Sequence, residues 1–134
     1  MKALFTGIYN LFVTGPYGFV PAIYLAMPGK LYLNEAPQNT TFPYIVYYVE
    51  GNDYDYQFVE DFEDFIIQFN IFDDKASASN ITDYFEKLKD LYDWSVPTVT
   101  GYTVSRFVRE FAQLVRDDEV WQYTVQYRVL LQKN

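Results

Sequence analysis

The sequence predicts one α+β domain, residues 1–134, in which an antiparallel sheet of about four to five strands is covered by an N-terminal helix and a central helix. Three observations predict this fold class. Apolar and polar residues alternate along several segments, as in strands with one covered face. Two other segments carry apolar residues at helical spacing. No internal repeat or low-complexity segment divides the chain, and its length suits a single core.

The N-terminal helix is predicted to run to Gly15-Pro16, because this pair breaks a helix. The same pair and Pro21 interrupt the first 29 residues, so no membrane-spanning helix is expected. The stretch up to Gly29 is predicted to be loop or short irregular structure. The buried stripe of the helix is expected to comprise Leu4, Ile8, Leu11 and Phe12, with Phe5 beside it, and the loop residues Phe19, Ile23 and Leu25 are expected to pack against the body.

Three strands are predicted next, over residues 31–33, over residues 44–50, and from Phe58 or Glu60 to residue 72. Residues 34–43 read as an exposed connection, and Gly51-Asn52-Asp53 is predicted to turn the chain. The longest strand alternates clearly. One of its faces carries Phe65, Ile67, Phe69 and Ile71, and the other carries Gln68 and Asn70.

The central helix is predicted over residues 75–94, with Asp73 or Asp74 capping its start. Residues 105–116 fit a helix as well as a strand, but the threonines and valines around Gly101 favour a strand. With a turn at Asp117-Asp118, the chain is predicted to end in a strand hairpin that reaches residue 132. The apolar stripe of the central helix comprises Ile81, Tyr84, Phe85, Leu88 and Leu91.

The composition weakens most enzymatic interpretations. Aromatic residues make up 21% of the chain, whereas His, the usual acid, base and metal ligand, and Cys, the usual soft ligand and nucleophile, are absent. The net charge of -8 argues against a specific nucleic-acid role, because such binding relies on Lys and Arg. We therefore expect no catalytic residue, no cofactor and no metal, and instead a protein that works through its surfaces.

Seven carboxylates lie between Glu50 and Asp64. A calcium loop that starts at Asp53 would need glycine at its sixth position, where Phe58 stands. No flanking feature marks a catalytic carboxylate pair. A solvated hairpin tip explains the acids, but the aromatic residues between them are typical of a contact surface. The arginines of the last third fit contacts between subunits or a solvated sheet face. The candidate interface residues are Asp53, Tyr54, Asp55, Tyr56, Phe58, Glu60, Asp61, Arg106, Arg109 and Arg116.

Two sequence passages carry a resemblance to a known family. Residues 36–47 (APQNTTFPYIVY) resemble a passage of the tail completion, tail terminator or tail-to-head joining proteins of long-tailed bacteriophages and prophages. Residues 65–72 (FIIQFNIF), followed by a helix with small residues at its start, look like the next passage of that family, and the closing hairpin is similar too. The resemblance spans nearly the whole chain, and its motifs are structural.

The resemblance implies a structural virion subunit without enzymatic activity. Such subunits look like small α+β proteins that form a ring, expected to be sixfold, at the head-proximal end of the tail tube. The implied partners are other copies of the chain, the tail tube protein and the head completion or connector protein. Free subunits can be monomeric in solution. The implied locations are the virion tail and, during assembly, the cytoplasm of the bacterial host.

Two other classes of function stay open at this point. A small-molecule-binding α+β domain would use the same sheet and helix to enclose an aromatic-lined pocket. A carboxylate-based hydrolase would need two acids that converge in a deep cleft.

Overall fold

The computed structural model describes residues 2–56 and 61–134, with side chains for residues 2–51 and 62–134. The predicted α+β class is confirmed, because a five-stranded sheet combines with three helices. The elements in chain order are α1 (Lys2–Thr14), α2 (Ala22–Ala26), β1 (Leu31–Leu33), β2 (Tyr44–Tyr56), β3 (Asp61–Asp73), α3 (Ser79–Tyr92), β4 (Tyr102–Asp117) and β5 (Val120–Lys133).

The sheet is mixed, with the strand order β1-β2-β3-β5-β4. All neighbouring strands are antiparallel except β1 and β2, which run parallel with Leu31 opposite Ile45. The prediction of a purely antiparallel sheet is therefore wrong at this edge. Residues 34–43 form a long connection that returns the chain to the end at which β1 began, whereas an antiparallel pair could be joined by a tight hairpin.

One face of the sheet is covered by the helices, and the core lies between them. The predicted stripe of α1 is confirmed, because Leu4, Ile8, Leu11 and Phe12 are all buried. Each large apolar side chain buried in this way contributes roughly 1.5–3 kcal/mol. The predicted inward faces of the strands and of α3 are also confirmed. The fully buried members of this core include Ile45, Ile67, Phe69, Ile71, Ile81, Leu88, Val125, Tyr127, Val129 and Leu131.

Two buried tyrosines join α1 to the sheet and to α3. The Tyr47 hydroxyl of β2 donates a hydrogen bond to the Phe5 carbonyl oxygen of α1 at 3.2 Å. The Tyr92 hydroxyl of α3 donates to the Ile8 carbonyl oxygen of α1 at 2.9 Å. Burial raises the pKa of Tyr47 to about 12 and that of Tyr92 well above the ordinary value, so both hydroxyls stay protonated donors at neutral pH.

The segment between α1 and β1 differs from its prediction. It contains the short helix α2, and only Ile23 of the three residues expected inside is buried. Phe19 and Leu25 are 79% and 68% exposed, so the prediction that they pack on the core is wrong. The five-residue helix presents one side to the core, so Leu25, two positions after Ile23, faces away from it.

Strand β2 continues beyond its predicted end. The predicted turn at Gly51-Asn52-Asp53 is wrong, because the backbone pairs onward until Tyr56 lies opposite Asp61. The register shifts between Val49 and Gly51, which leaves Glu50 as the extra, unpaired residue of a bulge. Strand β3 begins at Asp61, and the alternative predicted starts at Phe58 and Glu60 lie outside the described residues.

The predicted C-terminal hairpin is confirmed, and residues 105–116 form a strand. The helix-like spacing of its apolar residues has a structural cause. Bulges between Val104 and Arg106 and between Arg109 and Phe111 each shift the alternation by one residue. On the face away from the helices, Val108, Phe111 and Val115 therefore stand three and four positions apart along an extended strand.

Helix α3 is shorter than predicted, and its predicted cap is wrong. Ala78 holds the N-cap position and makes no side-chain cap. Asp73 is instead the last residue of β3, and alternation places it on the covered face with Phe69 and Ile71, where it is fully buried. Neither of its carboxylate oxygens hydrogen-bonds to the described residues. Burial raises the pKa of this carboxyl, and the nearby backbone N–H groups of residues 74 and 75 offset the rise only in part.

We predict that Gly7→Ala destabilises the protein, although alanine in a helix usually gains about 1 kcal/mol over glycine. The added Cβ would overlap the carbonyl oxygen of Thr98, which belongs to the backbone and cannot yield easily. Forcing such a contact costs about 1–3 kcal/mol. Denaturant unfolding should show a net loss, whereas the exposed neighbour Thr6→Ala should be nearly neutral. A Gly7→Ala variant as stable as the parent would contradict this packing.

We predict that Asp73→Asn stabilises the protein at pH 7. A carboxyl whose folded-state pKa is raised binds its proton more tightly in the folded protein than in the unfolded chain. Ionisation of Asp73 therefore lowers the free energy of unfolding as the pH rises above 3.8, the ordinary pKa of the side chain. Relief of an unpaired buried charge is expected to be worth about 1–3 kcal/mol. Thermal melts from pH 3 to 7 should show the variant's advantage shrinking as the pH falls. A constant or reversed difference would contradict the prediction.

Candidate interaction surfaces

The acidic residues lie at one end of the sheet. We call residues 50–56 of β2 and 61–64 of β3 the acidic end. The backbone of Asp53, Tyr54, Asp55 and Tyr56 pairs with residues 61–64, and β3 pairs with β5 as far as Phe62 opposite Gln132. Both strands of the acidic end are thus part of the sheet, and β3 has a neighbour on each side as far as Phe62. Phe58 and Glu60, also proposed as interface residues, lie outside the described residues.

One acid of this segment pairs with an arginine of its own chain. The Arg128 guanidinium donates two hydrogen bonds from Nε and one from Nη2 to the Asp64 carboxylate, at 2.7–3.1 Å. Its Nη1 lies 3.7 Å from Glu110 Oε2. A bidentate pair between partly buried groups holds its geometry better than an exposed one. Asp64 and Arg128 therefore brace β3 against β5.

Arg109 is also used within the chain. Its guanidinium donates to both carboxylate oxygens of Asp93 at 3.1–3.2 Å, at the C-terminal end of α3. The Tyr127 hydroxyl donates to Oδ1 of the same carboxylate at 2.6 Å. Burial and this bond to an anion raise the pKa of Tyr127 far above the ordinary value. The group ties α3 to β4 and β5, so Arg109 is built into the domain.

Arg116 and Arg106 lie at opposite ends of β4. Arg116 stands over the Trp121 ring at 4.6 Å and donates to the carbonyl oxygens of Ala76 and Asp118, both at 3.2 Å. Arg106 is exposed and forms no ion pair with the described side chains, those of residues 2–51 and 62–134. Arg116 likewise forms no ion pair with those side chains, but Trp121 and the two carbonyl oxygens hold its guanidinium in place, whereas Arg106 has none of these contacts.

The pairing registers place Arg106 and the acidic residues in one row. Asp53 lies opposite Asp64, Asp64 opposite Leu130, and Leu130 opposite Arg106. The acids of β2 and Arg106 of β4 are thus at the same end of the sheet, separated by the two strands β3 and β5.

On the sheet face away from the helices, polar side chains form hydrogen bonds with one another. Asn70 Oδ1 accepts hydrogen bonds from Gln68, Gln122 and Thr124 at 3.0–3.2 Å. Gln126 donates to Gln68 Oε1 at 2.8 Å. Because these groups hydrogen-bond to one another, few polar atoms at the centre of this open face need a partner from another molecule.

An exposed aromatic groove lies on the helical side and was not predicted. It has a volume of about 230 Å³ and lies between the loop after α1 and the outer side of α3. Its largest side chains, Tyr17, Phe19 and Trp94, are 77–79% exposed. The sequence offered one signal, because the loop between Gly15 and Pro21 contains no charged residue, but apolar loop residues were expected to pack inward. We call this hollow the aromatic groove.

The described residues contain neither a membrane-spanning helix nor a cluster of acidic metal ligands. None of the helices in residues 2–56 and 61–134 is long and apolar enough to cross a bilayer. Among the described side chains, those of residues 2–51 and 62–134, no three acidic groups lie together so that they could hold a metal ion.

The whole fold is similar to that of a virion protein. The sequence matches no family model and no curated protein. The fold matches a chain of a solved structure described as "Virion of native gene transfer agent (GTA) particle", with a TM-score of 0.79. The match covers 98% of this chain and 96% of that chain, at 10% identity. At this identity the likeness shows a shared fold alone.

Proposed function

We propose that the chain is a structural virion protein that completes the tail of a phage-like particle and joins it to the head connector. It acts without catalysis, as a ring of expected sixfold symmetry at the head-proximal end of the tail tube. Its partners are other copies of itself, the tail tube protein and the head completion protein. Its proposed locations are the virion tail and, during assembly, the cytoplasm of the bacterial host.

The observation that carries this proposal is the fold likeness over nearly the full length of both chains. A chain that matched only a common core would leave room for added catalytic elements, but here 98% of this chain lies within the match. The virion chain supports a virion role, and the resemblance of residues 36–47 and 65–72 to tail completion proteins supports the finer assignment.

The surfaces support an assembly role on physical grounds. A ring subunit needs a rigid body and different contact surfaces for its different neighbours. The tyrosine hydrogen bonds and the Asp93–Arg109 pair join the helices to the sheet and to each other. The acidic end, which includes Asp53, Asp55 and Asp61, then serves as the contact toward the next ring, and Arg106 meets an acid of an adjacent copy.

A small-molecule-binding function has less support. Such a domain would enclose an aromatic-lined pocket between its sheet and helix. In this structure Phe69, Tyr92 and Tyr127 fill that space, with ring centroids 4.9–6.1 Å apart. A ligand screen by thermal shift distinguishes the two functions, since a specific small molecule that raises the melting temperature would favour the binding domain.

We predict that cells carrying the particle genes but lacking this chain produce separate heads and tails, because nothing ends the tube or joins it to the head. Electron microscopy should show unjoined filled heads and tails of uncontrolled length, and expression of the chain in trans should restore complete particles. Complete particles at the normal yield without the chain would refute the proposed function.

We predict that charge reversal of the acidic end blocks joining while the subunit stays folded. The variant Asp53→Lys, Asp55→Lys, Asp61→Lys should complement the deletion poorly, because like charges then face a basic partner surface. A matched control reverses the exposed acids Glu35, Asp74 and Glu119, which lie elsewhere. Circular dichroism should show both variants folded, and normal joining by the first variant would exclude the acidic end as a contact.

A further inference from the structure

We infer that the aromatic groove is the docking site for a second copy of this chain, whose exposed β4 face enters it. The contact joins two different surfaces, the helical side of one copy and the open sheet face of the next. Such a head-to-tail contact generates a ring or a filament. The inference deepens the proposed function, on which it rests for the choice of a copy as the neighbour.

The exposed aromatic area is of the size that an interface needs. Aromatic side chains bury about 150–250 Å² each, so three that are nearly four-fifths exposed leave roughly 350–600 Å² in contact with water. A stable interface takes about 800 Å² from each partner. Tyr17, Phe19 and Trp94 therefore supply about half of one side. Aromatic residues are also the usual energetic centres of interfaces.

The same chain carries a matching apolar row. Val108, Phe111 and Val115 on β4 are 50%, 43% and 42% exposed, although they stand on a sheet. They lie opposite Arg128, Gln126 and Gln122 of β5, which places them on the open face rather than under the helices. Strand β4 is also the outermost strand of the sheet, so an approaching partner reaches this row from the side.

One charge beside each surface is free to pair with the other, whereas Lys87, which also lines the groove, is paired with Asp83. Asp90 lines the aromatic groove, is exposed, and forms no ion pair with the described part of the chain. Arg106, two residues before Val108, is exposed and has no ion pair with those same residues. When the β4 row of one copy enters the groove of the next, Arg106 and Asp90 provide one attractive pair across the contact.

A photo-crosslink tests the contact directly. Trp94 is replaced by p-benzoylphenylalanine, the purified chain is mixed with ¹⁵N-labelled unmodified chain at high concentration, and the crosslinked peptides are identified by mass spectrometry. We expect crosslinks to the ¹⁵N peptide of residues 110–116, which contains Phe111 and Val115. The label separates this product from any crosslink within one chain. The same replacement in assembled particles reports the contact in the virion.

Charge exchange tests the partner's identity. Asp90→Arg and Arg106→Asp should each weaken self-association about three- to tenfold in sedimentation experiments, and the double variant should restore it to within about twofold. The control Glu119→Arg with Lys133→Asp makes the same exchange at exposed sites outside both surfaces. Trp94→Ala should weaken association at least about 30-fold, whereas Trp94→Phe should keep most of it.

The outcomes separate this inference from the proposed function. Crosslinks from residue 94 to another protein, to a different part of the second copy, or to nothing in both samples would overturn the inference. Failure of the double exchange to restore association would overturn it as well. A chain that is absent from particles but crosslinks as expected in solution would refute the virion role and leave the contact standing.

Discussion

The hydroxyls of three buried tyrosines hold the helices in position on the sheet. The rest of the structure depends on this arrangement. Tyr47 links β2 to α1, Tyr92 links α3 to α1, and Tyr127 links β5 to the end of α3. Each ring also contributes to the apolar core, so one residue type supplies both burial and a directional bond. Because a hydrogen bond left unmade in the core is costly, these contacts fix where each helix lies, which packing of aliphatic side chains alone does less specifically.

This arrangement leaves the molecule with two unlike sides. The helical side ends in the exposed aromatic groove, and the other side is a sheet face whose central amides satisfy one another. The charged residues divide in a similar way. Asp93 with Arg109 and Asp64 with Arg128 brace the domain, whereas Asp90 and Arg106 have no ion pair in the described residues. A subunit with two different free surfaces suits an assembly in which each copy meets the next in the same orientation.

Much of the fold could be predicted from local patterns, because burial follows the period of the element. Leu4, Ile8, Leu11 and Phe12 repeat at helical spacing and are buried together, and Phe65 to Ile71 alternate as a half-covered strand does. The candidate interaction surfaces could be predicted less well. Arg109 and Arg106 look alike in the sequence, but the end of α3 places Asp93 beside Arg109 and leaves Arg106 in solvent. Phe19 and Trp94 are far apart in the chain and form one groove only after folding.

The sequence by itself determined the α+β class, the inward faces of its elements and the absence of His and Cys, since composition and periodicity are properties of the chain alone. The tertiary structure decided the parallel edge, the bulges of β2 and β4, the burial of Asp73, and which charges are paired. These features depend on contacts such as that of Asp64 with Arg128, 64 residues apart. No local pattern encodes such a contact, because its energy depends on the position of both partners in space.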